Sequence, residues 1–241
     1  YSVGEYWDGN EQIESWINRT NKKSAAFDFQ FRYNVRDAIG VRDNKVVAAP
    51  NWTKLSSNEN LMHDANYRRY AVTFVENHDT QYRSADSQND PLKRDTLAAN
   101  AYLLAMPGTP CIFQPHWRDY KPELKEMIAA RKYAGITNMS NYANKKCQNT
   151  LYVNEVTGTK HKLLVVMMLI NMQEKQAIQR FFLVITMPIS SLMMQKPLGP
   201  TCLPAHTRKV SRPHLLQSAR QRELNWFIPW TALLLLQRAQ L

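Results

Sequence analysis

The sequence has few cysteines and few glycines, and its longest apolar runs are short. Three of its 241 residues are cysteine, namely Cys111, Cys147 and Cys202, and seven are glycine. Three widely spaced cysteines, an odd number, predict neither a disulfide framework nor a zinc site. The longest apolar runs, Leu163–Ile170 and Thr231–Leu236, fall short of the roughly 18 residues that a membrane-spanning helix needs. We therefore expect neither a disulfide-rich fold nor a membrane partner.

Acidic residues are scarce in the last third of the chain. Residues 1–160 hold 21 Lys and Arg against 18 Asp and Glu, whereas residues 161–241 hold 10 against 2. The formal net charge of +11 therefore arises mainly in one segment. A strongly basic chain can bind nucleic acid. Here the basic residues of that segment are not interleaved with aromatic ones, so we expect no nucleic-acid partner.

The same segment is short of turn-forming residues. From Leu169 to Leu241 there is one glycine, Gly199, and there is no Tyr and no Asp. Because turns between strands favour Gly, Asn and Asp, we expect residues 169–241 to form an irregular tail that packs little against the rest. Two interpretations stay open: an unusual C-terminal extension, and translation in a shifted reading frame from near Lys160, which we prefer. We assign no function to this tail.

Residues 1–146 are predicted to alternate between strands and helices. The predicted strands are Tyr1–Gly4, Ala25–Phe29, Tyr70–Val75 and Thr109–Phe113. The predicted helices are Glu11–Thr20, Arg32–Ile39, Pro91–Met106 and Pro122–Tyr133. Such alternation indicates a parallel sheet with helical crossovers, and four of these units make half of a closed (β/α)8 barrel.

Residues 147–168 have a different pattern. Thr150–Val156 and Lys162–Met168 are predicted strands, joined by a turn over residues 157–160, as in a small β-domain. The predicted fold class is therefore α/β. It consists of a partial (β/α)8 barrel over residues 1–146, the start of a C-terminal β-domain over residues 147–168, and the irregular tail over residues 169–241.

Two short stretches place carboxylates at predicted strand ends. Glu5 follows the first strand, beside Tyr6 and Trp7, and Asp79 follows the third strand, beside His78. Catalytic groups of (β/α) barrels collect at the C-terminal ends of strands. Glycoside cleavage needs a carboxylic acid that protonates the leaving oxygen and anionic groups that support an oxocarbenium-like transition state. Apolar neighbours suit Glu5 to acid work. Taken singly, a Glu after a strand is also typical of a surface residue, and Asn-His-Asp is also typical of a helix start.

A third stretch, Pro107 to Phe113, makes the pattern specific. Together with the stretches from Gly4 to Trp7, from Ala26 to Phe29 and from Phe74 to Asp79, it resembles the α-amylase family of glycoside hydrolases, in the same order and at similar spacing. The resemblance covers about residues 1–168. It implies that the four stretches belong to strands five to eight of the family's barrel.

The resemblance also implies roles for four residues. Glu5 matches the family's general acid/base, and Asp79 matches the aspartate that stabilises the transition state. His78 matches the histidine that contacts the sugar in the central subsite. Trp7 is a candidate platform on which a sugar ring stacks, although a plain rim or core residue is an equal alternative.

The chain departs from the family pattern in several places. It contains no Gly-x-Arg-x-Asp stretch, which holds the family's nucleophile on strand four, and no Asp-x-x-x-Asn-His stretch of strand three. The domain inserted after strand three is missing as well, so calcium is expected for the family while no metal ligands are expected here. After strand eight, the stretch Gln114 to Trp117 replaces the usual Tyr-Gly or Tyr-Asp. We expect Trp117, and Tyr82 after strand seven, to be structural rather than sugar-binding.

The resemblance implies a parent enzyme that cleaves α-1,4-glucosidic bonds within starch-like polysaccharides and retains the anomeric configuration. Its expected partner is an α-glucan polysaccharide or oligosaccharide. Because the sequence shows no nucleophile, we expect this chain to be a fragment that is inactive alone. The alternative is a non-catalytic carbohydrate-binding or interaction protein that reuses a partial barrel. An extracellular or periplasmic location suits a polysaccharide hydrolase, but no signal peptide is recognisable in the sequence, so the location stays open.

Overall fold

The computed structural model describes residues 1–81, 90–172, 177–188 and 232–237. In chain order the strands are β1 (Val3–Gly4), β2 (Ala25–Phe27), β3 (Val41–Arg42), β4 (Lys45–Val46), β5 (Ala71–Thr73), β6 (Thr109–Pro110), β7 (Asn141–Cys147), β8 (Leu151–Thr157), β9 (His161–Met172), β10 (Ala177–Pro188) and β11 (Ala232–Gln237). The α-helices are α1 (Asn10–Arg19), α2 (Phe29–Ala38), α3 (His78–Gln81), α4 (Thr96–Ala105), α5 (Gln114–Asp119) and α6 (Lys121–Ala134). Within these ranges, no helix combines the length and the apolar character needed to cross a bilayer.

The first sheet is parallel and has four strands in the order β1-β2-β5-β6. Strands and helices alternate along it as predicted, so the expected crossover architecture is confirmed. The strands are shorter than predicted, because the chain leaves the ladder early and continues into buried loops such as the one that holds Phe74 and Val75. Strand β6 ends at Pro110, whose nitrogen carries no hydrogen for the ladder.

Helix α4 begins at Thr96, later than the predicted start at Pro91. Lys93 and Asp95, which precede the helix, have φ angles of 60° and 57°. These angles lie in the left-handed region, which a right-handed helix cannot include. The backbone N–H of Leu92 instead donates to Glu76 Oε1, at 2.8 Å. The segment ahead of α4 is therefore a loop fastened to the end of β5.

The second sheet is antiparallel, in the order β11-β10-β9-β8-β7. It contains the two predicted strands as β8 and β9, paired as expected around the turn at Gly158. Its first strand starts at Asn141, ahead of the predicted boundary at residue 147. The division of the chain into domains at that boundary stays a prediction.

The expectation that residues 169–241 are irregular is wrong for the described part of that segment. Strand β9 runs on to Met172, β10 pairs with it over its whole length, and β11 pairs with β10. Strand β10 also contacts α4 and α6. A shortage of turn residues constrains loops rather than strands, and β10 is rich in the β-branched and aromatic residues that strands favour. The reading-frame interpretation stays a prediction.

The C-terminal end of helix α6 contacts both the segment that leads into the parallel sheet and a turn of the antiparallel sheet. Near its C-terminus, the guanidinium group of Arg131 donates to the carbonyl oxygens of Leu104 at 2.8 Å, Met106 at 2.5 Å and Gly108 at 2.9 Å. These carbonyls lie at the end of α4, where helical partners are missing. The turn at Gly158 meets the end of α6 so closely that a Cβ there would lie 2.0 Å from the oxygen of Ala134.

Candidate active site

Glu5 and Asp79 lie at the same edge of the parallel sheet. Glu5 follows β1 directly, and Asp79 lies in α3, which follows β5. Strands β1 and β5 both pair with β2 in parallel, so their carboxyl ends point the same way. The two residues therefore share one edge of the sheet, with one strand between them, whereas the separation of their carboxyl groups stays a prediction. Their chemical roles stay predictions.

Glu5 is exposed to solvent. The expected apolar surroundings do not shield Glu5 from solvent, and the Trp7 ring packs on α2. One face of Trp7 stacks on Phe29, with ring centroids 4.8 Å apart and an interplanar angle of 14°. Trp7 remains 47% exposed, so its opposite face is open to solvent.

The indole nitrogen of Trp7 also has a partner. Its Nε1–H donates to the hydroxyl oxygen of Tyr33 at 2.6 Å. Phe29, which lies beneath the Trp7 ring, is fully buried and contacts Phe74 edge-on, with centroids 5.2 Å apart. Trp7 is thus an exposed ring on a buried aromatic support, and its edge is fixed by one hydrogen bond.

His78 and Asp79 are held in place by a helix cap. The side chain of Asn77 accepts from the backbone N–H of Thr80 at 2.9 Å, and Thr80 Oγ1 accepts from the N–H of Asn77 at 3.0 Å. Helix α3 therefore starts at the motif, as the simpler interpretation of Asn-His-Asp predicted. The side chain of Asp79 is only 14% exposed, whereas that of His78 is 80% exposed, and His78 Nε2 lies 3.3 Å from Asp79 Oδ1. The cap fixes a largely buried carboxylate beside an accessible imidazole.

Asp28 also lies at this edge of the sheet, not within a strand as the sequence suggested. Strand β2 ends at Phe27, and Asp28 is the N-cap of α2. Its Oδ1 accepts from the N–H of Phe31 at 3.1 Å, and its Oδ2 accepts from the N–H of Met62 at 2.9 Å. Asp28 is fully buried, and this burial raises the pKa of its carboxyl group to about 6. Both oxygens are occupied by backbone groups, so this carboxylate cannot reach a substrate.

Known proteins match part of the sequence and share the fold. Residues 1–116 match the family model described as the catalytic domain of α-amylase. The chain is 36% identical over 91 residues to an α-amylase type B isozyme of Hordeum vulgare, and 30% identical over 155 residues to a glucan 1,4-α-maltotetraohydrolase of Roseateles saccharophilus. These alignments cover 36% and 56% of this chain, and 58% and 26% of the two relatives. The crystal structure of a γ-CGTase from alkalophilic Bacillus clarkii shares the fold, with a TM-score of 0.51 at 16% identity over 70% of this chain and 27% of the other.

Residues 1–116, slightly less than half of the chain, are similar to the catalytic domain of the α-amylase family. The parallel sheet and its helices form a partial (β/α)8 barrel. The chain spans less than two thirds of the length of these curated relatives.

Three buried polar side chains in and beside the stretch from Phe74 to Asp79 form a hydrogen-bonded network, which was not predicted from the sequence. Glu76, just before Asn77, has its Oε2 2.7 Å from Nε2 of His116 in α5. Asn100 of α4 places its amide nitrogen 3.2 Å from Nδ1 of the same imidazole. With the amide donating to Nδ1, the proton lies on Nε2 and is donated to Glu76. All three residues are buried, and they join the loops that follow β5 and β6.

In the sequence, this hydrogen-bonded network is indicated by the departure from the α-amylase pattern after strand eight, at Pro115 and His116. A cavity of about 510 Å3 opens beside the pair of Glu76 and His116, and Lys93 and Tyr120 are among its other lining residues. Trp117, in the same helix as His116, is partly buried against the core, and Lys121 lies 5.8 Å from its ring centroid. Tyr82, the other aromatic residue expected to be structural, lies outside the described residues.

The calcium that the α-amylase resemblance implies finds no fitting ligand set in the described ranges. There, no group of three or more His, Cys, Asp or Glu side chains converges so as to hold a metal ion. Asp28, the most deeply buried of the three strand-end carboxylates, is already occupied by backbone N–H groups.

Proposed function

We propose that this chain forms the acid/base side of the active site of an α-amylase-type hydrolase that acts on α-1,4-linked glucans. The observation that carries the proposal is the position of Glu5 and Asp79 at one edge of a parallel sheet, in a stretch that matches the α-amylase catalytic domain. The names of the relatives, an α-amylase and a glucan 1,4-α-maltotetraohydrolase, support this substrate class.

In this proposal, each residue has one task. Glu5, exposed at the end of β1, protonates the oxygen of the leaving sugar. Asp79, largely buried in α3, supports the positive charge that develops on the sugar ring, as an anion in a partly desolvated position can. His78 is accessible and donates to a sugar hydroxyl, and the open face of Trp7 stacks against the apolar face of a ring.

Cleavage with retention also needs a nucleophilic carboxylate near the anomeric carbon. Among the described residues at this edge, Asp28 is sealed by backbone N–H groups, and Asp90 forms ion pairs with Arg32 and Arg36. Neither can take the third role. We therefore propose that the chain alone binds α-glucans but does not hydrolyse them.

The test of the carboxylate roles is binding of a cationic iminosugar of the gluco configuration, which mimics the charge of the transition state. Mimics of this kind bind through the groups that stabilise the transition state. Calorimetric affinity should fall about tenfold in Asp79→Asn, because one anionic contact contributes on the order of 1–2 kcal/mol. Glu126→Gln, which removes an exposed carboxylate on α6, is the matched control and should bind like the parent chain. Equal affinity in all three proteins would reject Asp79 as the stabilising group.

A reducing-sugar assay with soluble starch tests the absence of turnover. The purified chain should release no more sugar than its Asp79→Asn variant. Turnover that disappears in the variant would show that the chain builds a complete site, for example by association with a second copy.

The second candidate function is carbohydrate binding without any catalytic role, and the open face of Trp7 favours it. It predicts that Trp7→Ala abolishes binding of a malto-oligosaccharide, whereas Asp79→Asn leaves iminosugar binding unchanged. Tyr133→Ala, which removes an exposed ring on α6, is the matched control for the aromatic change.

A further inference from the structure

The orientation of the Trp7 ring depends on α2. The stack on Phe29 fixes the distance of the Trp7 ring from α2, but it leaves the ring free to slide and rotate in its own plane. The hydrogen bond from Nε1 to the Tyr33 hydroxyl, at 2.6 Å, removes that freedom. Trp7 follows an edge strand of two residues, so its own backbone gives it little support.

Tyr33 is itself held by two cations. The guanidinium carbon of Arg36 lies 4.8 Å from the Tyr33 ring centroid, and that of Arg32 lies 5.3 Å from it. These are distances at which a cation attracts an aromatic face. Arg32 is fully buried, so its position is fixed by packing as well as by charge.

Both arginines are paired with one carboxylate, Asp90. Arg32 Nη1 donates to Asp90 Oδ2 at 2.8 Å, and Arg36 Nη1 donates to the same oxygen. Burial tends to raise the pKa of Asp90, but the hydrogen bonds and charges of the two arginines together outweigh it, so the pKa is lowered. The backbone N–H of Asp90 donates to the carbonyl oxygen of Thr80 at 2.9 Å, and Thr80 belongs to the helix that carries His78 and Asp79. A continuous set of contacts thus joins Trp7 to the other half of the candidate site.

We propose that Tyr33 is a positioning residue that fixes the Trp7 ring as a stacking platform and sets its place relative to His78 and Asp79. The proposal rests on the proposed function, because it assumes that a glucan ring stacks on Trp7. A ring held in its binding orientation loses little freedom when the sugar arrives, and this preorganisation increases affinity. Tyr33 touches neither reacting group, so its effect on binding passes through Trp7.

The test combines a spectroscopic signal with an affinity. In the 15N-labelled full chain, the indole N–H signal of Trp7 is assigned by its loss in Trp7→Phe. Tyr33→Phe removes only the hydroxyl oxygen, so the Trp7 signal should shift upfield and its hydrogen should exchange faster with solvent. Affinity for maltoheptaose should fall about threefold to tenfold, the range expected for one hydrogen bond.

The matched control is Tyr67→Phe. The Tyr67 hydroxyl accepts an equally exposed hydrogen bond from Asn18 at 2.7 Å, but it lies before β5, toward the opposite edge of the sheet. This variant should leave both the Trp7 signal and the affinity unchanged. An unshifted Trp7 signal in Tyr33→Phe would overturn the proposal, as would parent-like affinity in Tyr33→Phe together with weak binding by Trp7→Ala. Parent-like affinity in Trp7→Ala would instead reject the platform itself, and with it the proposed role of Trp7 in sugar binding.

Discussion

Asp28 should make the stability of this protein depend on pH in a direction opposite to that of carboxylates whose pKa is lowered by ion pairs in the folded state. Burial raises its pKa from 3.8 to about 6, although the N–H groups of Phe31 and Met62 favour the charged form. The folded chain therefore binds a proton more readily than the unfolded chain, so the contribution of Asp28 is unfavourable above pH 6 and disappears below pH 3.8. At about 1.4 kcal/mol for each pKa unit, the full effect is about 3 kcal/mol, and about 1 kcal/mol of it falls between about pH 7 and pH 5.

Urea unfolding of the parent chain and of Asp28→Asn at several pH values measures this contribution. The variant does not titrate and leaves one backbone N–H without an acceptor, which costs about 1–3 kcal/mol at every pH. The advantage of the parent in free energy of unfolding should therefore grow by about 1 kcal/mol from about pH 7 to pH 5. Asp43→Asn, at an exposed turn position between β3 and β4, is the matched control and should show no such trend. A parent advantage that stays constant, or that shrinks as the pH falls, would refute the reasoning.

Two further predictions concern buried hydrogen bonds around the parallel sheet, those of Arg131 and the one between Glu76 and His116. Arg131→Met leaves three buried carbonyl groups at the end of α4 without donors, so the free energy of unfolding in urea should fall by about 3–5 kcal/mol. Arg131→Lys keeps the charge and should lose about half as much; equal losses would contradict the geometric explanation. Glu76→Leu and His116→Phe each remove one partner of the same buried hydrogen bond, so a double-mutant cycle should give a coupling of about 1 kcal/mol or more. Additive effects would show that the two side chains act independently.

The sequence predicted the order of strands and helices because each parallel strand is a short apolar run between amphipathic segments. Helix α6 and the antiparallel pair of β8 and β9 also agree closely with expectation. The start of α4 could not be predicted, because it depends on a contact between Glu76 and Leu92 that only the fold creates. Strand β10 was missed because the composition of its surroundings outweighed its own β-forming residues.

The candidate site was predicted in its positions but not in its environments. Residues that follow parallel strands must share an edge of the sheet, so Glu5 and Asp79 could be placed from the strand pattern alone. The exposure of a side chain depends on neighbours from other segments. The Trp7 ring packs on Phe29 and donates a hydrogen bond to Tyr33, and Glu5 stays exposed. The role of His116 was equally hidden, because both of its partners come from distant parts of the chain.

If the proposed retaining function holds, the geometry of the sheet indicates where a nucleophilic carboxylate would have to lie. Glu5 follows β1, and among the described residues β1 pairs only with β2. On the β2 side, the strand-end position is already filled by Asp28, which is sealed. A carboxylate on the other side of Glu5 would therefore have to follow a further parallel strand that pairs with β1 on the side opposite to β2. Because parallel neighbours end at the same edge, one added strand would bring its carboxylate beside Glu5 and leave Asp79 in place across β2.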